Sequence, residues 1–169
     1  MNPQNYYSAT KAAAEHLVSA YHNTHDIDYM MVRMSNNYGP RQHSEKFLPT
    51  ILKSLSSGKK IPLYGKGDNV RDWIYVKDSA RAIYNLVINA DPNEVYNVSF
   101  RDEKTNVEVI ENVLSVLGKS WDDCVEHVDD RLGHDFRYSI TNHKMIQFVD
   151  FEPTPFSEGL KETINWFKE

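Results

Sequence analysis

Apolar residues recur along the chain with two periods. From Tyr7 to His25, Ala13, Leu17, Ala20 and Tyr21 return at three- and four-residue steps among good helix formers, which predicts an amphipathic helix. Asp28 to Met34 is a short apolar run of β-leaning residues and reads as a buried strand. Ser44 to Ser57 places Phe47, Ile51 and Leu55 four apart and stops at Gly58, the residue type that follows helix ends, so a second helix is expected. Ile61 to Tyr64 and Val70 to Val76 are strand-like and flank the turn sequence Gly65-Lys66-Gly67-Asp68. Lys77 to Asn89 is helical again and Glu94 to Val98 reads as a strand. Thr105 with Glu108 forms a capping-box signature for a helix running through Leu117. Thr154 followed by Pro155 announces a last helix ending near Phe167. Alternating strands and helices predict an α/β protein, and no repeat or low-complexity tract marks an internal boundary.

A chain of 169 residues is long enough to bury a core. Its net charge of −5 argues against a broad nucleic-acid-binding face, which needs clustered Lys and Arg. The longest apolar stretches, such as Ala80 to Ala90, are short and broken by Arg81, Tyr84 and Asn85, so no membrane span is expected. With Cys124 alone there is no internal disulfide, and a reducing, cytoplasmic compartment is expected. The seven histidines show no zinc-type pairing with cysteine or with one another, and no metal site is expected. His22 and His25, three apart, read as solvated surface residues or at most a weak site.

Tyr7-Ser8-Ala9-Thr10-Lys11 sets a phenol and an ammonium one helical turn apart on one face. A phenol is a poor base at neutral pH unless a cation favours its ionised form. By spacing alone, a surface Tyr-Lys pair is the favoured reading of the motif. Asn36-Asn37 with Gly39-Pro40 close behind reads, by itself, as a turn. Arg71 carries a planar guanidinium suited to a diphosphate, or to a surface ion pair with Asp72 or Asp68. Trp73, Tyr75 and Tyr84 read as ordinary core aromatics.

Taken in order, Tyr7 to Leu17, Ser35-Asn36-Asn37-Tyr38-Gly39-Pro40, Glu45-Lys46-Phe47-Leu48-Pro49, Ile61 to Gly67, Arg71 to Val76, Tyr96-Asn97 and Asp130 to Tyr138 resemble the extended short-chain dehydrogenase/reductase family of nucleotide-sugar enzymes. The resemblance runs from about Asn2 to the carboxyl end and is closest to the 4,6-dehydratase branch acting on dTDP-glucose. It implies part of a doubly wound Rossmann-type NAD-binding fold, over residues 1–35 with the Tyr-Lys helix. Residues 36–169 would form a mostly helical nucleotide-sugar-binding lobe, with 70–98 returning to the Rossmann sheet.

The same resemblance implies NAD as cofactor, a dTDP-sugar or UDP-sugar as substrate, and a homodimer. Tyr7 would be the base for the sugar 4-hydroxyl, Lys11 would hold the nicotinamide ribose, and Asn37 would contact the cofactor. The nucleotide sugar would meet Asn36, Lys46, Phe47, Pro62, Leu63, Tyr64, Arg71, Asn106, Asp130, Arg131, Leu132, Gly133 and His134. Leu132 departs from the family's usual proline, which alters loop stiffness more than ligand identity. The family's Gly-rich phosphate loop and its Asp-Glu elimination pair have no counterpart here. The expectation is therefore a carboxyl-terminal half whose amino-terminal half is missing or supplied by a partner chain.

Overall fold

The computed structural model describes residue 3, residues 5–130 and residues 135–168. Helix α1 (Tyr6–His25) is followed by strands β1 (Met30–Met34) and β2 (Asn36–Tyr38). Helix α2 (Phe47–Ser56), strands β3 (Ile61–Tyr64) and β4 (Val70–Tyr75), helix α3 (Val76–Asn89) and strands β5 (Glu94–Val98) and β6 (Asp102–Thr105) come next. Helices α4 (Asn106–Leu117) and α5 (Trp121–Cys124), strands β7 (Val125–Val128) and β8 (Arg137–Tyr138), and helix α6 (Phe156–Lys168) complete the order, with one 3₁₀ turn at Met145–Gln147.

Local chemistry accounts for the element ends. Asn5 caps α1 by accepting from the Ser8 amide at 2.9 Å, and the helix closes on Asp26 in the left-handed region at φ 51°. The expected capping box opens α4: the Thr105 amide donates to Glu108 Oε2 at 2.6 Å and the Glu108 amide to Thr105 Oγ1 at 3.1 Å. Gly118 ends that helix at φ 64°. Helix α2 starts three residues later than the sequence predicts, with Lys46 as its N-cap and Pro49 in its first turn, where proline lacks no needed donor.

β1 and β5 pair in parallel, Met30 opposite Glu94 through Met34 opposite Val98. β4 is the hub of a second sheet. It takes β2 in parallel at Trp73 to Tyr75, β6 antiparallel at Val70 to Trp73, and β8 in parallel at Val70 and Arg71. β3 and β7 form a separate parallel pair. Of the stretch 70–98, β5 thus joins β1, whereas β4 lies in the other sheet.

The alternation of side chains along β4 divides two cores. Trp73 and Tyr75 join a cluster with Tyr38, Leu48, Ile51, Leu63, Val113 and Leu160. Ile74 faces the other way, into a smaller cluster with Ala82, Leu86, Tyr96, Val98 and Met145.

Two expectations about the core need correction. α1 contains no buried residue: Leu17 is 70 % and Tyr21 57 % exposed. Its apolar stripe is present in sequence, but the contact to β1 is the Glu15–Arg33 ion pair. Tyr84 is likewise not a core aromatic; with Val87 and Ile88 it lies on the outer face of α3, while Ala82 and Leu86 occupy the inner one. Among the described residues no helix is long and apolar enough to cross a membrane.

Candidate functional site

Tyr7 and Lys11 stand one turn apart on α1, with the Lys11 Nζ 5.5 Å from the centre of the Tyr7 ring. Both are exposed. The helix is clamped to the sheet below by a two-pronged contact, Arg33 Nε and Nη2 donating to the Glu15 carboxylate at 2.8 and 2.5 Å. Those hydrogen bonds hold Glu15 below its ordinary carboxylate value. Glu15 and Arg33 escaped the sequence reading because residues 18 apart leave no local signal.

Asn36 and Asn37 follow β1 after Ser35 and open β2, so the pair is a strand and not the turn that their composition suggests. The Asn37 carboxamide is already engaged. Its nitrogen donates to the Ser35 carbonyl at 3.1 Å, and its oxygen accepts from the Ser79 hydroxyl at the start of α3. The Gln42 side-chain carboxamide donates to the Asn37 backbone carbonyl at 2.8 Å, closing the segment from behind. Among the described residues the Asn36 side chain has no such partner. Ser79 and Gln42 are supports that sequence spacing did not reveal.

Lys46 is exposed at the head of α2, and Phe47 packs against Trp73 with ring centres 6.3 Å apart. Trp73 is in turn the register partner of Asn36, which links the three segments.

Pro62, Leu63 and Tyr64 make up most of β3, with Leu63 buried and the other two half-buried. The turn after β3 reaches α4 through Gly67. A side chain there would strike Leu63 Cδ1 at 2.6 Å and Val107 Cγ2 at 2.9 Å, and φ is +72°. Only glycine tolerates that approach, and it sets Asn106 at the first position of α4 beside the turn. Asp130 follows β7 and lies against Gly65, where an added Cβ would come within 3.2 Å of it. Arg131, Leu132, Gly133 and His134 lie outside the described residues.

Arg71 takes neither carboxylate offered by the sequence. Its guanidinium donates to the carbonyls of Val70 at 2.7 Å and Asp135 at 2.8 Å, with Phe136 at 3.5 Å. Burial pulls the guanidinium down from its ordinary value, and the Asp135 charge acts the other way. The Asn69 side-chain carboxamide also donates to the Asp135 carbonyl at 3.3 Å, and the Val70 backbone amide donates to the Phe136 carbonyl at 2.8 Å. Arg71 is therefore placed at the foot of the segment that follows residue 134. Of the two candidate histidines on α1, His22 contacts the Ile27 carbonyl at 3.0 Å and the His25 ring lies against Tyr21.

A helix-borne Tyr-Lys pair above a parallel strand pair, next to a lobe built around an Asn-Asn strand, defines a class that comparison with known proteins makes explicit. Residues 1–99 match the NAD dependent epimerase/dehydratase family, and the chain belongs to it. The chain is 40 % identical over 168 residues to a dTDP-glucose 4,6-dehydratase of Streptomyces niveus, covering 99 % of this chain and 50 % of that protein. It is similar to the crystal structure of dTDP-glucose 4,6-dehydratase from Bacillus anthracis in complex with NAD: TM-score 0.90, 43 % identity, 99 % of this chain and 53 % of that one. A UDP-N-acetylglucosamine 4-epimerase from Methanobrevibacter ruminantium matches at TM-score 0.87 and 29 % identity, over 99 % of this chain and 55 % of that one. The chain thus spans about half the length of the relatives it matches.

Proposed function

We propose that this chain is the half of an NAD-dependent dTDP-glucose 4,6-dehydratase that carries the oxidation base and most of the nucleotide-sugar pocket. The observation that carries the reading is the 36–43 % identity to dehydratases over essentially the whole chain, against 29 % for the epimerase. In that reaction C4 of the sugar is oxidised, water is lost across C5 and C6, and C6 is reduced, giving a 4-keto-6-deoxy sugar nucleotide.

The donor set fits one end of a dinucleotide. Tyr7 and Lys11 present an exposed hydroxyl and ammonium on one face of α1, suited to ribose hydroxyls and a sugar hydroxyl. The other end of the cofactor needs a Gly-rich turn at a helix amino terminus, and the sequence contains none. NAD, when bound, supplies the hydride acceptor and donor. Tyr7 Oη receives the proton of the sugar 4-hydroxyl, and Lys11 places positive charge one turn away while holding the ribose. Asn36 is the open carboxamide for the sugar, and Asn37 shapes the strand beneath it. The remaining substrate contacts fall to Lys46, Phe47, the β3 backbone, Arg71, Asn106 and the 130–134 segment.

The purified chain, given dTDP-glucose and NAD, should form no 4-keto product. Co-expression with a chain bearing the Gly-rich turn and the elimination carboxylates should restore it. Absence of product from dTDP-glucose in the folded, complemented protein refutes the dehydratase reading, and product from UDP-glucose alone would move the reading to a UDP-sugar enzyme.

A further inference from the structure

The two sheets meet at one residue. β1 ends with Met34 opposite Val98, and β2 starts with Asn36 opposite Trp73. Carrying each register over by one residue sets Ser35 beside Ser99 on one side and beside Asp72 on the other. All three are buried, at 4 %, 0 % and 0 % exposure. Ser99 donates its hydroxyl proton to Asp72 Oδ2, accepts from the Arg101 amide at 2.9 Å, and through its carbonyl accepts from the buried Asn142 carboxamide at 2.8 Å. Ser35 donates its amide to the Val98 carbonyl at 3.1 Å and accepts the Asn37 carboxamide on its own carbonyl.

Two atoms of this knot are left over: Ser35 Oγ and Asp72 Oδ1 are both buried without a partner. Each such atom is costly, yet one is a donor and the other an acceptor on register neighbours. An apolar residue at 72 would leave the buried Ser99 hydroxyl without its acceptor. The β4 residues that follow, Trp73, Ile74 and Tyr75, fill the cores, so a carboxyl group at a fully buried position has a task other than packing.

We propose that Asp72 is a positioning residue for the substrate strand: one carboxyl oxygen holds Ser99, and the buried carboxyl group, set beside Ser35 by the register, fixes the crossing from β1 to β2 so that Asn36 faces the nucleotide sugar in one setting. The role of Asn36 rests on the function proposed above. The Asp72 knot itself does not. Burial, with Glu103 and Asp102 on β6 adding to it, pushes the Asp72 carboxyl group up, and Ser99 works against this. A carboxamide keeps an oxygen to accept from Ser99 and fills nearly the same volume, so Asp72→Asn preserves the knot and Asp72→Ala removes it.

The test is residue-resolved amide hydrogen exchange on the full chain, with Val113→Ala, buried in the larger core, as a control for general loss of stability. In Asp72→Ala the amides of residues 35–37 should exchange faster than in Val113→Ala by about tenfold or more, with Asp72→Asn close to the parent. Protection of 35–37 equal to that in the control overturns the proposal. If Asp72→Ala does not fold, Ser99→Ala is the second variant, and unchanged protection at 35–37 there overturns it equally. Calorimetry with dTDP on the same proteins separates the two readings. Local loosening in Asp72→Ala with no dTDP binding by the parent chain removes the role of Asn36 and leaves the knot; parent binding that Asp72→Ala weakens and Asp72→Asn retains supports both.

Discussion

Gly159→Ala should destabilise this chain even though the same change stabilises most helices. In an exposed helix interior, alanine is favoured over glycine by about 1 kcal/mol. Gly159 lies in α6 against the larger core, and a Cβ there would sit 2.5 Å from Tyr38 Oη and 2.9 Å and 3.0 Å from Tyr75 Cδ2 and Cγ. Neither ring can retreat. Both tyrosines are nearly inaccessible, and the Tyr38 ring is packed by Trp73, Tyr75 and Phe156 at 6.1, 5.5 and 4.8 Å between centres. Overpacking of this kind costs about 1–3 kcal/mol. The Tyr38 hydroxyl also donates to the Phe156 carbonyl at 3.3 Å, and displacing it forfeits roughly another 1 kcal/mol. The unfavourable side wins by about 1–3 kcal/mol after the helix gain is deducted. For a domain of this size that lowers the thermal midpoint by roughly 2–12 °C. Urea and thermal unfolding, followed by circular dichroism, measure it. Because the shortest contact is to the hydroxyl, Tyr38→Phe in the same chain should recover part of the loss, a coupling that a double-mutant cycle isolates. A Gly159→Ala midpoint at or above the parent's refutes the reasoning.

In the complemented enzyme, Tyr7→Phe should lower kcat by on the order of 10²-fold or more while leaving dTDP affinity intact, as steady-state kinetics and calorimetry would show; equal rates would make Tyr7 structural. Glu103 is held down to about 2 by hydrogen bonds from Arg137 and Ser139. A carboxyl lowered on folding adds stability above its ordinary value of 4.5 and loses it as pH falls toward about 2, so Glu103→Gln should flatten urea stability across that window. An unchanged acid limb would show that the pair contributes nothing.

The elements that sequence pattern located are those whose signal is local. A capping box, a left-handed glycine and a run of apolar β-formers each act within a few residues, and α4, β3 and β5 lie where such signals set them. β6 carries no such signal: Asp102-Glu103-Lys104-Thr105 has no apolar member and is a strand because the edge of β4 offers it backbone partners from Val70 to Trp73. β2 looks like a turn in sequence for the complementary reason. Its Asn-Asn composition suits turns, and only pairing with Trp73 to Tyr75 makes it extended. Tyr84 and the apolar stripe of α1 show the limit of periodicity, which says that one face is apolar without saying what covers it.

The candidate site divides along the same line. Tyr7 and Lys11 were legible because a four-residue helical spacing fixes their neighbourhood whatever the rest of the chain does. Asn36 and Asn37 were legible as a pair but not as two different residues. The strand's alternation turns the Asn37 carboxamide to Ser79 and leaves Asn36 on the opposite side, and that distinction exists only after β2 pairs with β4. Arg71 is the sharpest case. Its chemistry suits a diphosphate, and adjacent carboxylates suggest an ion pair, yet the guanidinium is spent on the Val70 and Asp135 carbonyls. A diphosphate that recruited Arg71 would have to compete with those carbonyls. It has an advantage in doing so, because charge-assisted hydrogen bonds to an anion are roughly twice as strong as neutral ones. Any such exchange would release the Asp135 carbonyl and so couple ligand binding to the backbone that follows residue 134.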